Sequence, residues 1–115
     1  MPIVIKRAYE PAQVSDGYRV LVDRLWPRGL TKEKLKLDAW MKEVSPSTEL
    51  RKEFHQQAAR WAEFQRRYFT ELKGQPQLIG ELRTKARTGT VTLIYAARDE
   101  THNNAAALKN YLEKS

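Results

Sequence analysis

Cysteine is absent from the 115 residues, which excludes a disulfide, a thiolate nucleophile and any cysteine-based zinc site. That composition fits a reducing compartment, and the cytoplasm is the simplest expectation for location. Long apolar runs are absent too. The opening stretch MPIVIKRAYEP holds one short run, Ile3 to Ile5, after Pro2, which is neither a secretory core nor a spanning helix, so no membrane contact is expected. Histidine occurs only at His55 and His102, too far apart to give a recognisable zinc spacing, and neither a metal nor a cofactor is expected. No glycine-rich phosphate loop, nucleophile elbow or dinucleotide fingerprint occurs. Internal repeats, low-complexity tracts and a conspicuous acid-base pair of carboxylates are likewise missing.

What is present suits one domain spanning residues 1–115, since a chain of this length is too short for two independent cores. Apolar residues make up 41% and aromatic residues number eleven (three Trp, five Tyr, three Phe), enough for a packed interior despite a mean hydropathy of -0.70. Lysine and arginine outnumber aspartate and glutamate by 21 to 14, which favours acidic partners. The excess is uneven: residues 1 to 36 carry eight basic and four acidic side chains. Arg19, Arg24, Arg28, Lys32, Lys34 and Lys36 are candidates for a positive patch, the bland alternative being solvated charge that aids solubility.

Proline and glycine punctuate a single series of elements. The β-branched run from Ile3 to Lys6 reads as a strand, Pro11 to Gly17 as a turn, and Tyr18 to Val22 as a second strand stopped by Pro27 and Gly29. Residues 35 to 44 alternate Leu35, Leu37, Ala39 and Met41 with polar neighbours and read as a strand, a helical turn being the alternative. A helix follows, with Ser45 as cap and Pro46 in its first position. Its apolar face runs through Leu50, Phe54, Ala58, Trp61, Phe64, Tyr68 and Leu72, with a break near Ala58. Gly74 and Pro76 separate it from another helix that ends at Gly89. TVTLIYAA, residues 90 to 97, is apolar on both faces, as a central strand covered on both sides requires. RDETHNN is then a polar loop, and a last helix is capped by Asn103, Asp99 or Thr101. The expected fold class is therefore α/β, a single layered domain with a small, mostly parallel sheet flanked by helices.

In such sheets ligands bind beyond the carboxyl ends of the strands. That rule puts VDRLWPRGL and ARDETHNN on one rim. Arg24, Arg28 and Arg98 would grip a phosphate- or nucleotide-like anion, with Asp99, Asn103 and Asn104 orienting it. Asp23 and His102 are the candidate proton movers for hydrolase or transferase chemistry, His102 because an ordinary imidazole titrates near neutrality. The duller readings are a loop-bracing salt bridge for Asp23 with Arg24 or Arg28, helix caps for Asp99 and Asn103, and an ordinary surface residue for His102. Trp26, Trp40 and Trp61 read as core, with Trp26 alternatively an exposed platform for stacking a base. That alternative belongs to a second function, a nucleic-acid-binding module that uses the basic first third of the chain with Trp26 or Tyr18 stacking.

The blocks RVLVDRLWPRGL, LDAWMKEVSPSTELR, WAEFQRRY and VTLIYAARDETHNNA, in this order, make the chain resemble domain-of-unknown-function family 488, in its small YeaO-like branch. The resemblance implies an α/β fold in which the first and last of these blocks supply the notable polar residues. Larger relatives carry a Cys-His-Arg cluster in the later segment, where this chain has Asn103, Asn104 and Ala105. Cysteine-dependent chemistry is therefore not carried over. A transcription-regulator label attached to some members finds no winged helix-turn-helix here.

Overall fold

The computed structural model describes residues 2–55 and 60–114. Its strands are Ile3–Arg7 (β1), Tyr18–Leu21 (β2), Ala39–Trp40 (β3) and Val91–Tyr95 (β4). They form one sheet in the order β1-β4-β2-β3, with every pairing parallel. The helices are Lys32–Leu35 (α1), Thr48–His55 (α2), Trp61–Leu72 (α3), Pro76–Thr88 (α4) and Asn104–Glu113 (α5), and 3-10 turns occupy Val14–Asp16 and Lys42–Val44. The α/β class and the parallel sheet follow the expectation. The strand read as central is central: β4 lies between β1 and β2 and is buried at all five positions.

Strand alternation sorts the side chains onto two faces. Ile3, Val20, Val22, Val91, Leu93 and Tyr95 line one face, where helices α2 to α5 cover them with Leu50, Phe64, Tyr68, Leu72, Leu82, Leu108 and Leu112. Each fully buried aliphatic side chain of this layer contributes roughly 1.5–3 kcal/mol. The opposite face is thinner. Leu21 and Ile94 pack there with Ala8 and Leu35, beside Leu30 and the edge-on pair Trp26 and Trp40, whose rings are 5.4 Å apart.

The rest of that second face is polar and satisfied. Asp16 receives Lys6 Nζ at 3.1 Å and Arg19 at 2.6 Å, and Thr92 Oγ1 donates to the Asp16 carbonyl at 2.6 Å. Arg19 also donates to the carbonyls of Leu35 and Lys36, closing the end of α1. At 4% exposure, Arg19 is a buried partner of Asp16 and not a member of the surface patch expected of it. Arg24, Arg28, Lys32, Lys34 and Lys36 are exposed.

Three local expectations change. The strand over residues 35 to 44 shrinks to Ala39–Trp40, because Thr31 caps a helical turn that buries Leu35 and ends in left-handed Lys36. Asp38 then takes up the neighbouring strand's groups: its N–H donates to the Arg19 carbonyl and its carboxylate accepts the Arg19 N–H, each at 2.8 Å. The helix after it is capped by Ser47, not Ser45. Ser47 Oγ accepts the Leu50 N–H at 3.2 Å and is itself held by Glu71 of α3, whereas Ser45 Oγ donates to the Lys42 carbonyl. Pro46 accordingly precedes the cap. The long apolar face divides into α2 and α3, with Arg60 in extended backbone before Trp61; Ala58, where the break was expected, lies outside the described residues.

Candidate functional site

The carboxyl ends of β2 and β4 are tied together by side chains. β4 stops at Tyr95, two residues short of the expected end, because the Ala96 N–H leaves the ladder and donates to Asp23 Oδ2 at 2.9 Å. Asn104, the first residue of α5, donates through one amide nitrogen to Asp23 Oδ1 at 2.9 Å and to the Val22 carbonyl at 3.0 Å. The Asp23 carbonyl in turn accepts the Trp40 indole N–H at 2.7 Å. The VDR turn and the HNN segment are thus one bonded unit. Asp23 forms this bracket with Ala96 and Asn104, not a salt bridge with Arg24 or Arg28.

Burial pushes the Asp23 carboxyl above the ordinary carboxylate range, against the opposing pull of the Asn104 and Ala96 bonds and the charge of Arg51. Beneath it lies Tyr68, fully buried, its hydroxyl donating to the Val44 carbonyl. Burial, with the charges of Asp23 and Glu71, drives that phenol well above its usual range.

The loop between β4 and α5 is shaped by its own polar groups. Asp99 Oδ1 accepts the N–H groups of Thr101 and His102 and the Thr101 hydroxyl, at 2.9–3.0 Å. These bonds hold the exposed Asp99 carboxyl below the usual range. Of the three candidate caps, Asn103 caps α5: its side chain accepts the Ala106 N–H at 2.7 Å and donates to the Asp99 carbonyl at 2.8 Å. The His102 ring lies 4.7 Å from the Trp61 ring, nearly parallel at 16°, and so closes an aromatic run through Phe64 and Phe54.

The candidate residues therefore divide. Asp23, Asn103 and Asn104 are joined through the bracket and the cap, and Asp99 orders the loop beside them. Arg24, Arg28 and Arg98 are exposed, and among the described residues no carboxylate forms an ion pair with any of them. Arg24 reaches the Pro46 carbonyl at 3.5 Å, and the Arg28 carbonyl accepts the Tyr9 hydroxyl at 3.1 Å. Trp26 faces inward, donating to the Leu30 carbonyl at 2.7 Å.

Two recesses lie elsewhere. One, of about 440 Å³, runs beside β1 over Lys6, Gln13, Ser15, Asp16 and Thr92; the other, of about 450 Å³, lies over Tyr9, Pro11, Leu30, Lys34 and Lys36. No group of three or more His, Asp or Glu side chains suited to a metal occurs among the described residues, and no described helix is long and apolar enough to cross a membrane.

Sequence reading missed Arg7. Its Nε donates to the Ala97 carbonyl at 3.0 Å and one Nη to the Ala96 carbonyl at 3.4 Å, with Tyr9 beneath the guanidinium at 5.2 Å. Lying at the end of a strand, in a run read only for its apolar residues, it carried no motif. Its register partner on the central strand is Tyr95. Burial raises the Tyr95 phenol above its usual range, with Glu100 and Glu10 adding to the effect and Arg7 and Asn103 opposing it.

The chain is similar over nearly its whole length to known proteins. The "Uncharacterized protein YeaO" of Escherichia coli K12 is 48% identical over 112 residues, 97% of each chain. The "Uncharacterized protein Rv3073c" of Mycobacterium tuberculosis and the "Uncharacterized protein Mb3100c" of Mycobacterium bovis are each 41% identical over 108 residues, covering 94% of this chain and 91% of theirs. No solved structure matches. With the family model for DUF488-N3i, described as the inactive DUF488-N3 subclade, matching residues 2–115, the chain belongs to the DUF488 family.

Proposed function

We propose that the protein binds an anionic ligand, phosphate- or nucleotide-like, at the rim where the VDRLWPRG and ARDETHNN segments meet, and holds it without turnover. The observation that carries this reading is the Asn104 bridge to Asp23 and Val22. It draws the two turns together, and on those turns stand Arg24, Arg28 and Arg98, exposed and without a carboxylate partner among the described residues. Arginine forks match the geometry of phosphate oxygens. The first turn of the ten-residue helix α5 adds the positive end of a dipole.

Several features speak for binding over hydrolase or transferase chemistry. Both oxygens of Asp23 already serve Ala96 and Asn104, so the residue suits a bracket better than a base. The His102 ring rests on Trp61. Asn103 and Asn104, where the resembling larger proteins carry a Cys-His-Arg cluster, act as cap and bridge. The description of the subclade as inactive agrees with this reading. The competing function is nucleic-acid binding, kept in play by the exposed Lys32, Lys34 and Lys36 that follow the arginines. It is weakened by the inward packing of Trp26.

The test is calorimetric titration with inorganic phosphate, AMP and short oligonucleotides at low salt. Phosphate or AMP should bind, and the Arg28→Ala/Arg98→Ala double variant should lose at least about tenfold in affinity, as expected for charge-assisted hydrogen bonds. Its melting temperature should stay within about 2 °C of wild type, as for substitutions at exposed sites. AMP should be recovered unchanged after long incubation, and hydrolysis would refute the absence of turnover. Oligonucleotide binding with a log-log salt slope of about -0.9 per phosphate contact, and none of AMP, would favour the nucleic-acid module. Binding of neither would reject both.

A further inference from the structure

We infer that Arg7 is the anchor of anion binding at this rim, its guanidinium taking a phosphate group between the ends of β1 and β4; this inference rests on the binding function proposed above. Three contacts fix the side chain: the carbonyls of Ala97 and Ala96 at 3.0 and 3.4 Å and the Tyr9 ring at 5.2 Å. A fork held in this way keeps donors free and loses little rotamer entropy when it takes a ligand.

The charge of Arg7 is also uncompensated. Among the described residues it forms no ion pair, although it is partly buried. The nearby Glu10 carboxylate is turned onto the Arg7 backbone N–H at 3.0 Å. Arg24, bound to the Pro46 carbonyl, is exposed, and the buried or partly buried, carbonyl-bound Arg19 and Arg83 differ from Arg7. Arg19 is neutralised by Asp16 at 2.6 Å. Arg83 donates to the carbonyls of Tyr111, Leu112 and Lys114, the end of α5, where the helix dipole supplies negative charge. The Ala96 and Ala97 carbonyls held by Arg7 lie just past the end of β4, outside any helix, and supply no such dipole field.

The surroundings fit a phosphate. Tyr9 carries the guanidinium on its ring and donates its hydroxyl to the Arg28 carbonyl at 3.1 Å, so one side chain touches both Arg7 and the Arg28 backbone. Arg98 follows directly on the Ala97 carbonyl that Arg7 holds. A phosphate monoester, carrying about 1.5 to 2 negative charges at neutral pH, answers three cations better than a carboxylate does.

The experiment is calorimetric titration of inorganic phosphate and AMP into wild type, Arg7→Lys, Glu10→Gln and Arg28→Ala at matched ionic strength. Arg7→Lys keeps the charge and loses the fork, and should weaken phosphate binding about tenfold or more. Glu10→Gln keeps an acceptor for the Arg7 N–H and removes a repelling charge, and should tighten binding about two- to fivefold. A residue that only braces the strand ends predicts no effect of Glu10→Gln. Phosphate affinity unchanged within about twofold in both variants, below what one charge-assisted bond is worth, would overturn the role of Arg7. If Arg28→Ala alone then abolished binding, the rim function would stand without it. Wild type binding neither phosphate nor AMP would end both. Should Arg7→Lys fail to fold, Glu10→Gln decides: unchanged affinity overturns the inference and tighter binding upholds it.

Discussion

Substituting Asn104 by alanine removes the bridge between the two polar turns and nothing else of size. Two acceptors lose their donor: Asp23 Oδ1, bonded at 2.9 Å, and the Val22 carbonyl, bonded at 3.0 Å. A hydrogen bond to a charged group contributes about 1.5–3 kcal/mol and one to a carbonyl about 1 kcal/mol, so the loss is roughly 2–4 kcal/mol. A domain of this size shifts by about 4 °C per kcal/mol, which puts the fall in melting temperature at roughly 8–16 °C. The assay is urea unfolding and calorimetry of Asp23→Ala, Asn104→Ala and the double variant as a thermodynamic cycle. Because the two side chains touch, the cycle should show a coupling energy of about 1–3 kcal/mol. A shift under about 2 °C with additivity within about 0.5 kcal/mol would refute the bracket.

The remaining predictions concern other parts of the frame. Gly17 holds φ 64°, and a Cβ there would overlap the Thr90 carbonyl, so Gly17→Ala should cost several kcal/mol, about 3 or more, read as a lower urea midpoint. Burial pushes the Asp16 carboxyl up, but the bonds from the Gln13 N–H, Lys6 and Arg19 outweigh it and leave the carboxyl below its ordinary value of 3.8. Its stabilisation is thus present above pH 3.8 and lost as pH falls through the lower folded value; Asp16→Asn should flatten the stability profile in that acid window. His102→Ala should cost about 0.5–1.5 kcal/mol from the lost stack on Trp61 and change tryptophan fluorescence; an unaltered spectrum would contradict the stack.

The fold was legible where pattern and environment agree. The apolar run at Val91–Tyr95 read as a strand covered on both sides, and β2 ends at Leu21, one residue before the expected Val22. Residues 35 to 44 misled because alternation was read without the Thr31 cap, which forms a helical turn before the strand begins. Ser45 and Ser47 are equally good caps on paper; Glu71, distant in sequence, decides between them. The rim was legible as two polar turns, and their meeting came out in the Asn104 bonds. The pairing of Asp16 with Lys6 and Arg19 and the setting of Arg7 against Ala96 and Ala97 depend on contacts across strands, which one-dimensional spacing does not encode.

The most direct measurement for the central claim is amide chemical-shift mapping during a phosphate titration of the ¹⁵N-labelled protein. If the two turns form one binding rim, the amides from Asp23 to Arg28 and from Ala96 to Asn104 should move together along a single saturating curve. Shifts that never saturate, or that are confined to residues 32 to 36, would contradict it.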